Sequence, residues 1–85
     1  MKAYTLVGQD GNAFFLMGYA SNAMKDAYRE ARKKNDKKGM ATFSESARQE
    51  MLDEARLSGY DNLVCVLEKW MQKINEHFQL EQASC

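Results

Sequence analysis

The clearest pattern of hydrophobic and polar positions lies in the last third of the chain. Large apolar residues recur there every three or four positions, the spacing of one helix face: Leu63, Leu67, Trp70, Ile74 and Phe78, widened by Val64, Val66 and Met71. A stripe this broad is typical of a helix that packs into a core. The pattern predicts a helix over residues 61–79. Cys65 falls within the same apolar run, so we expect a small buried core residue there.

Two further helices are predicted upstream. The first, over residues 12–35, has Asn12 as its cap, ends in the polar segment 35–39, and carries a second apolar repeat: Phe14, Met17, Ala20, Met24, Ala27, Tyr28 and Ala31. Thr42 and Glu45 have the spacing of a capping box. They open a second helix over residues 43–57, whose inner face is formed by Ala47, Met51, Leu52 and Ala55.

The N-terminal segment is short and rich in β-formers. Residues 3–8 predict a short strand or an extended arm, and residues 9–12 predict a turn around Asp10-Gly11. Residues 13–19 could instead form a second strand and close a β-hairpin. The fold we expect is mainly α: a strand or arm, then a three-helix domain, with residues 1–85 as one domain and 80–85 as a frayed tail.

Composition narrows the class of protein. Among 85 residues there are two cysteines, no proline and 45% hydrophobic residues. A small secreted domain usually carries several disulfides, so we expect a soluble, cytoplasmic protein. No apolar run approaches the roughly 20 residues that span a bilayer, so no membrane partner is expected.

Catalytic and metal-binding patterns are absent from the sequence. The chain has one histidine, His77, and Cys65, twelve positions before it, is at no recognised ligand spacing. Asp53 and Glu54 are adjacent, so they diverge on a helix and cannot share a proton. We therefore expect no enzyme, no cofactor and no metal site, with His77 as a surface residue near a helix end.

Charge is distributed unevenly. Residues 1–38 hold eight of the 12 basic residues and four of the 12 acidic residues, which makes this half +4 and the other half −4. A basic run ends the first predicted helix, where Arg29, Lys33 and Lys37 would share one side and Arg32 a neighbouring side. This candidate basic patch could bind a nucleic-acid backbone. Glu30 and Asp36 interrupt it, so an accessory nucleic-acid-binding role ranks third among the functions considered.

Methionine and aromatic residues are abundant for so small a chain, with six Met, four Phe, four Tyr and one Trp. A three-helix domain cannot bury all of those between positions 14 and 43. Phe15 and Tyr19 are the candidates we expect to remain exposed. An exposed surface of this kind indicates a protein partner or, alternatively, a homo-oligomer.

The turn between arm and first helix is the other candidate site. Gly8 and Gly11 allow a ligand to approach the backbone closely, and a helix start attracts anions. Asp10 and Asn12 offer polar groups to a base or ribose, although Asp10 would repel a phosphate. The turn therefore suggests a nucleotide-like ligand, and a self-capped turn without ligand is the alternative.

Two segments resemble a family of short uncharacterised proteins of bacteria, phages and mobile elements. Residues 7–18, Val-Gly-Gln-Asp-Gly-Asn-Ala-Phe-Phe-Leu-Met-Gly, match its opening V-G-x-D-G-N-A-F-x-x-M-G. Residues 55–64 are similar to its A-x-S-G-D-Y-D-H-L-L, with the glycine shifted by one and Asn62 at the histidine. The resemblance implies a phage or mobile-element setting, in which small proteins often inhibit host components.

The function we expect first is therefore a small non-enzymatic binding protein that masks or inhibits a partner protein through exposed Met and aromatic residues. A nucleotide-like ligand binder or sequestering protein that uses the 8–12 turn comes second. Each hypothesis is an expectation from sequence alone.

Overall fold

The computed structural model of the chain describes residues 2–80. An extended N-terminal arm leads into four helices: α1 (Ala13–Lys33), α2 (Lys37–Thr42), α3 (Glu45–Ala55) and α4 (Tyr60–His77). Residues 2–80 contain no β-strand, so the mainly-α expectation is confirmed in its arm form, and the β-hairpin alternative is wrong. Apart from Leu80, the predicted frayed tail lies outside the described residues.

The first helix begins where the sequence predicted, and Ala20, Met24, Ala27 and Ala31 of the predicted repeat lie on its buried face. Asn12 caps α1, because its side chain accepts hydrogen bonds from the N–H groups of Phe14 and Phe15. The buried face consists mostly of alanines, which let α1 approach its neighbours closely: Leu16, Ala20, Ala23, Met24, Ala27 and Ala31. Phe14 was predicted to lie on that face and is instead 82% exposed.

A left-handed residue ends α1. Asn35 adopts a φ of 55°, and the N–H groups of Asn35 and Asp36 donate to the carbonyls of Arg32 and Ala31. These two bonds form a Schellman motif, which Asn tolerates better than most residues. Asp36 then caps α2, a six-residue helix that the sequence analysis did not predict.

The ends of α3 are set by side chains other than those predicted. Ser44 is the N-cap and accepts from the Ala47 N–H, whereas Thr42, the predicted cap, donates to the Lys38 carbonyl inside α2. At the other end, the Asn62 side-chain amide donates to the carbonyls of Glu54 and Ala55. Asn62 thus satisfies orphan carbonyls of α3 from the first turn of α4.

The core is built around α4, as its stripe predicted. Six apolar residues of this helix are buried: Leu63, Val66, Leu67, Trp70, Met71 and Ile74. They pack with the inner face of α1 and with Met51, Leu52 and Ala55 of α3, which were predicted as that helix's inner face. Cys65 is exposed, so the expectation of a buried cysteine was wrong. Position 65 falls on the outer face of α4, because an unbroken apolar run on a helix covers both faces.

Side chains of the helices hold the arm in place. The Asn75 side chain, which is 2% exposed, accepts from the Tyr4 N–H and donates to the Tyr4 carbonyl, both at 2.8 Å. The Glu68 carboxylate accepts from the Leu6 N–H, and Leu6 itself is buried. The arm therefore docks through backbone groups of Tyr4 and Leu6 that hydrogen-bond to side chains of α4. Within residues 2–80, none of the helices has the length and apolar content needed to cross a membrane.

Candidate functional site

The Gly8–Asn12 loop is organised by its own hydrogen bonds. Gly8 has a φ of 84°, a conformation that favours glycine. The Asp10 carboxylate accepts from the Asn12 N–H at 2.9 Å, and Asn12 caps α1. Because the Asn12 N–H occupies an oxygen of Asp10, and the first N–H groups of α1 occupy the side-chain oxygen of Asn12, the loop's geometry gives no support to the expected nucleotide-like ligand.

A long-range contact ties the loop to the start of α4. The Tyr60 hydroxyl donates to the Gly11 carbonyl at 2.5 Å across 49 positions of sequence. A Cβ at Gly11 would lie 3.3 Å from that hydroxyl, so glycine is what permits the close approach. Residues 7–18 and 55–64, the two segments that carry the family resemblance, therefore meet in space.

Large exposed apolar residues lie close to this contact along the chain. Val7, Phe14 and Leu57 are 79%, 82% and 81% exposed, and Phe15 and Tyr60 are about half exposed. Val7, Phe14 and Phe15 lie within four positions of Gly11 along the chain, and Leu57 lies three positions before Tyr60. We call these five residues the apolar end of the molecule: Val7, Phe14, Phe15, Leu57 and Tyr60.

The composition of this surface differs from the prediction. Met24, Met51 and Met71 are completely buried, and Met17 and Met40 are only partly exposed, so no methionine among residues 2–80 adds a largely exposed side chain, contrary to the prediction. Tyr19 was expected at the binding surface but is half-buried. Its hydroxyl accepts from the Thr5 N–H, and its ring meets Tyr4 edge-on with centroids 6.2 Å apart. Tyr19 therefore anchors the arm.

The position of Tyr4 in the docked arm also affects the pKa of its hydroxyl. Burial, together with the nearby Asp26 carboxylate, raises the pKa of Tyr4 to about 12. Its hydroxyl lies 3.4 Å from that carboxylate and donates to it. Tyr4 thus stays protonated at neutral pH and acts as a structural donor.

The basic run is split by the end of α1. Arg29, Arg32 and Lys33 remain on that helix, whereas Lys37 opens α2 beyond the Asn35 turn. The predicted alignment of Lys37 with Arg29 and Lys33 on one helix side was therefore wrong. Lys33 and Arg29 line one small cleft beside Tyr4, Asp26 and Glu30.

A larger cleft lies between α1 and the start of α3, with a volume of about 470 Å³. Four cationic side chains and one carboxylate are among the residues that line it: Lys25, Tyr28, Arg29, Arg32, Phe43, Ser44, Glu45 and Arg48. We call it the basic groove. Of the predicted patch, only Arg29 and Arg32 contribute to this groove.

The histidine has a partner that the sequence analysis missed. His77 Nε2 lies 2.6 Å from Asp36 Oδ2, and the His77 side chain is only 18% exposed. Its ring packs edge-on against Phe43 and Phe78. The hydrogen bond from His77, reinforced by the one from the Gly39 N–H, lowers the pKa of Asp36. This pair closes the joint between α2 and the end of α4.

Searches against protein-family models, curated proteins and solved structures found no match to the chain. The candidate sites therefore rest on the geometry of this chain alone.

Several residues at these sites escaped the sequence analysis. Val7 comes from the N-terminal segment, Leu57 and Tyr60 flank the Ser58-Gly59 junction, and Lys25 and Arg48 lie outside the basic run. One signal was available, since Leu57 is an isolated apolar residue beside the Ser58-Gly59 junction and had no place on the predicted inner face of its helix. The others required knowledge of which helices are neighbours.

Proposed function

We propose that this chain is a small binding protein without catalytic activity that engages a partner protein through its apolar end. The observation that carries the proposal is the exposure of Val7, Phe14 and Leu57, each about four-fifths accessible beside the Tyr60–Gly11 contact. Scattered single apolar residues are ordinary on a protein surface. Five around one tertiary contact resemble the core of an interface.

The energetics favour a protein partner. Complete burial of a Val, Leu or Phe side chain is worth about 1.5–3 kcal/mol, so three such anchors supply a substantial part of a binding free energy. Aromatic residues are preferred at the energetic centres of interfaces. Phe14, Phe15 and Tyr60 provide three of them here.

The backbone beneath the apolar end is already ordered. Asn12 fixes the first turn of α1, and Tyr60 fixes the loop at Gly11. A surface that is preorganised loses less conformational entropy on binding. We further propose that binding masks or inhibits the partner, in the phage or mobile-element setting that the family resemblance implies.

The test compares co-purification of host proteins with wild-type chain and with Phe14→Ser and Leu57→Ser variants. These side chains are exposed, so their replacement should leave the fold intact. Tyr28→Ser is a matched control, because Tyr28 is also exposed but lies in the basic groove. We expect a stoichiometric partner that is retained by the control and lost by both variants.

A second copy of the chain is the alternative occupant. Light scattering on the purified protein distinguishes the two: a monomer that captures a host protein supports the proposal. A dimer that Phe14→Ser dissociates would replace the partner with self-association. Equal capture by all variants would refute a role for the apolar end.

A further inference from the structure

We propose that the basic groove binds a phosphate-bearing small molecule of nucleotide size, at a site separate from the apolar end. Lys25, Arg29 and Arg32 follow one another at helical intervals on α1 and face the first turn of α3. Arg48 approaches from α3. Positive side chains from two helices thus converge on one concave surface.

Two of the four cationic side chains of the groove have no carboxylate partner among the described residues. Arg29 pairs with Asp26 at 3.0 Å, and Glu45 lies 3.6 Å from Arg48. Lys25 and Arg32 form no ion pair among the described residues. Like charges held together are unfavourable for folding alone, and a dianionic ligand would relieve that repulsion.

One arginine is held in place before any ligand arrives. The Arg48 side chain is 17% exposed, and one of its nitrogens donates to the Ser21 hydroxyl at 3.3 Å. An arginine with a fixed guanidinium loses little freedom when it binds a phosphate through two parallel hydrogen bonds. The first N–H groups of α3, beside Ser44, also lack acceptors within their own helix and add positive potential.

The volume and the lining residues of the groove indicate the class of ligand that it would bind. Its volume of about 470 Å³ falls within the range of small-molecule sites. Tyr28, which is 37% exposed, lines it and supplies an aromatic ring for a base. A nucleic-acid backbone needs a longer track of positive charge, and Asp26, Glu30 and Glu45 interrupt such a track here.

The experiment is calorimetric titration at low salt with ATP, pyrophosphate, adenosine and a single-stranded oligonucleotide. We expect ATP and pyrophosphate to bind and adenosine not to bind. Arg48→Gln and Arg32→Gln should each weaken ATP binding about tenfold or more, since a charge-assisted hydrogen bond is lost. Tyr28→Ala should weaken ATP but not pyrophosphate.

Lys38→Gln is the matched control, because it removes the same charge from an exposed position outside the groove. Arg32 has no ion-pair partner among the described residues, so Arg32→Gln keeps the test valid even if Arg48→Gln unfolds. No binding of ATP or pyrophosphate, or equal weakening by the control, would overturn the proposal. Binding of the oligonucleotide alone would overturn it in favour of a nucleic-acid surface.

Discussion

The Tyr60 hydroxyl donates a hydrogen bond to the Gly11 carbonyl, and this bond joins two segments that are 49 positions apart. It fixes the Gly8–Asn12 loop against the start of α4. The exposed apolar residues Val7, Phe14 and Leu57 lie within four positions of Gly11 or Tyr60 along the chain. The contact therefore shapes the surface on which the proposed function depends.

Removal of that hydroxyl should loosen the loop without unfolding the helices. In Tyr60→Phe, the Gly11 carbonyl loses its donor, and the expected destabilisation is about 1 kcal/mol. Hydrogen exchange should speed up at loop residues 8–12 and stay unchanged in the middle of α4. Tyr28→Phe is the control, since no hydrogen bond to the Tyr28 hydroxyl occurs among the described residues. Identical exchange in the two variants would contradict a structural role for the contact.

The arm should detach when the two hydrogen bonds between the Asn75 side chain and the Tyr4 backbone are disrupted. Asn75→Asp keeps the shape of the side chain but cannot donate to the Tyr4 carbonyl when ionised. We expect a loss of about 2 kcal/mol in unfolding free energy and rapid exchange of the amides of Tyr4 and Leu6. Asn22→Asp, at an exposed position of α1, is the matched control and should change neither quantity.

Two glycines should respond oppositely to the same substitution. A Cβ at Gly39 would lie 2.8 Å from the Ala31 Cβ and 2.6 Å from the Asp36 carboxylate, so α2 must shift away from α1. Gly39→Ala should therefore destabilise the fold by about 1–3 kcal/mol. Gly18 has open space around it, and Gly18→Ala should stabilise α1 by about 0.5–1 kcal/mol. Urea denaturation measures the free energy of unfolding of both variants. A Gly39→Ala protein as stable as wild type would contradict the close packing around Gly39.

Acid should weaken the joint between α2 and α4. The pKa of Asp36 is lowered by the hydrogen bond from His77, from an ordinary value of 3.8. A lowered pKa means that the carboxylate's stabilisation is complete above the unfolded value and disappears as pH falls below 3.8 through the folded value. Asp36→Asn keeps an N-cap residue but cannot titrate. Its urea midpoint should fall less steeply than that of wild type below pH 3.8, and parallel curves would contradict the linkage.

The sequence predicted three of the four helices, and their ends less well. The stripe on α4 has an unambiguous phase because large residues fill it. The phase of α1 was predicted from Ala20 to Ala31 but misjudged at the start of the helix, where Leu16 is buried and Phe14 points outward. Asn62 and Ser44 became recognisable as caps only when the neighbouring turns were in place, since several polar residues near each junction could serve.

The sequence motifs identified the loop of one candidate site but not the distant residues that the fold brings to the candidate sites. The Gly8–Asn12 turn was identified, but its role as a scaffold depends on Tyr60, which sequence alone could not place beside Gly11. Likewise Arg48 lies 16 positions from Arg32 in sequence, and only the packing of α3 on α1 brings them into one groove. His77 was assigned to the surface because its partner, Asp36, is 41 positions away.

The central claim is that the apolar end binds a partner protein, and site-specific photo-crosslinking tests it most directly. A benzophenone side chain at position 14 replaces an exposed aromatic residue with another, and the same probe at the exposed Gln49 of α3 serves as the control. Under irradiation in host cells, the account predicts one discrete crosslinked host protein from position 14 and none from position 49. Crosslinks only between copies of this chain, or equal products from both positions, would contradict it.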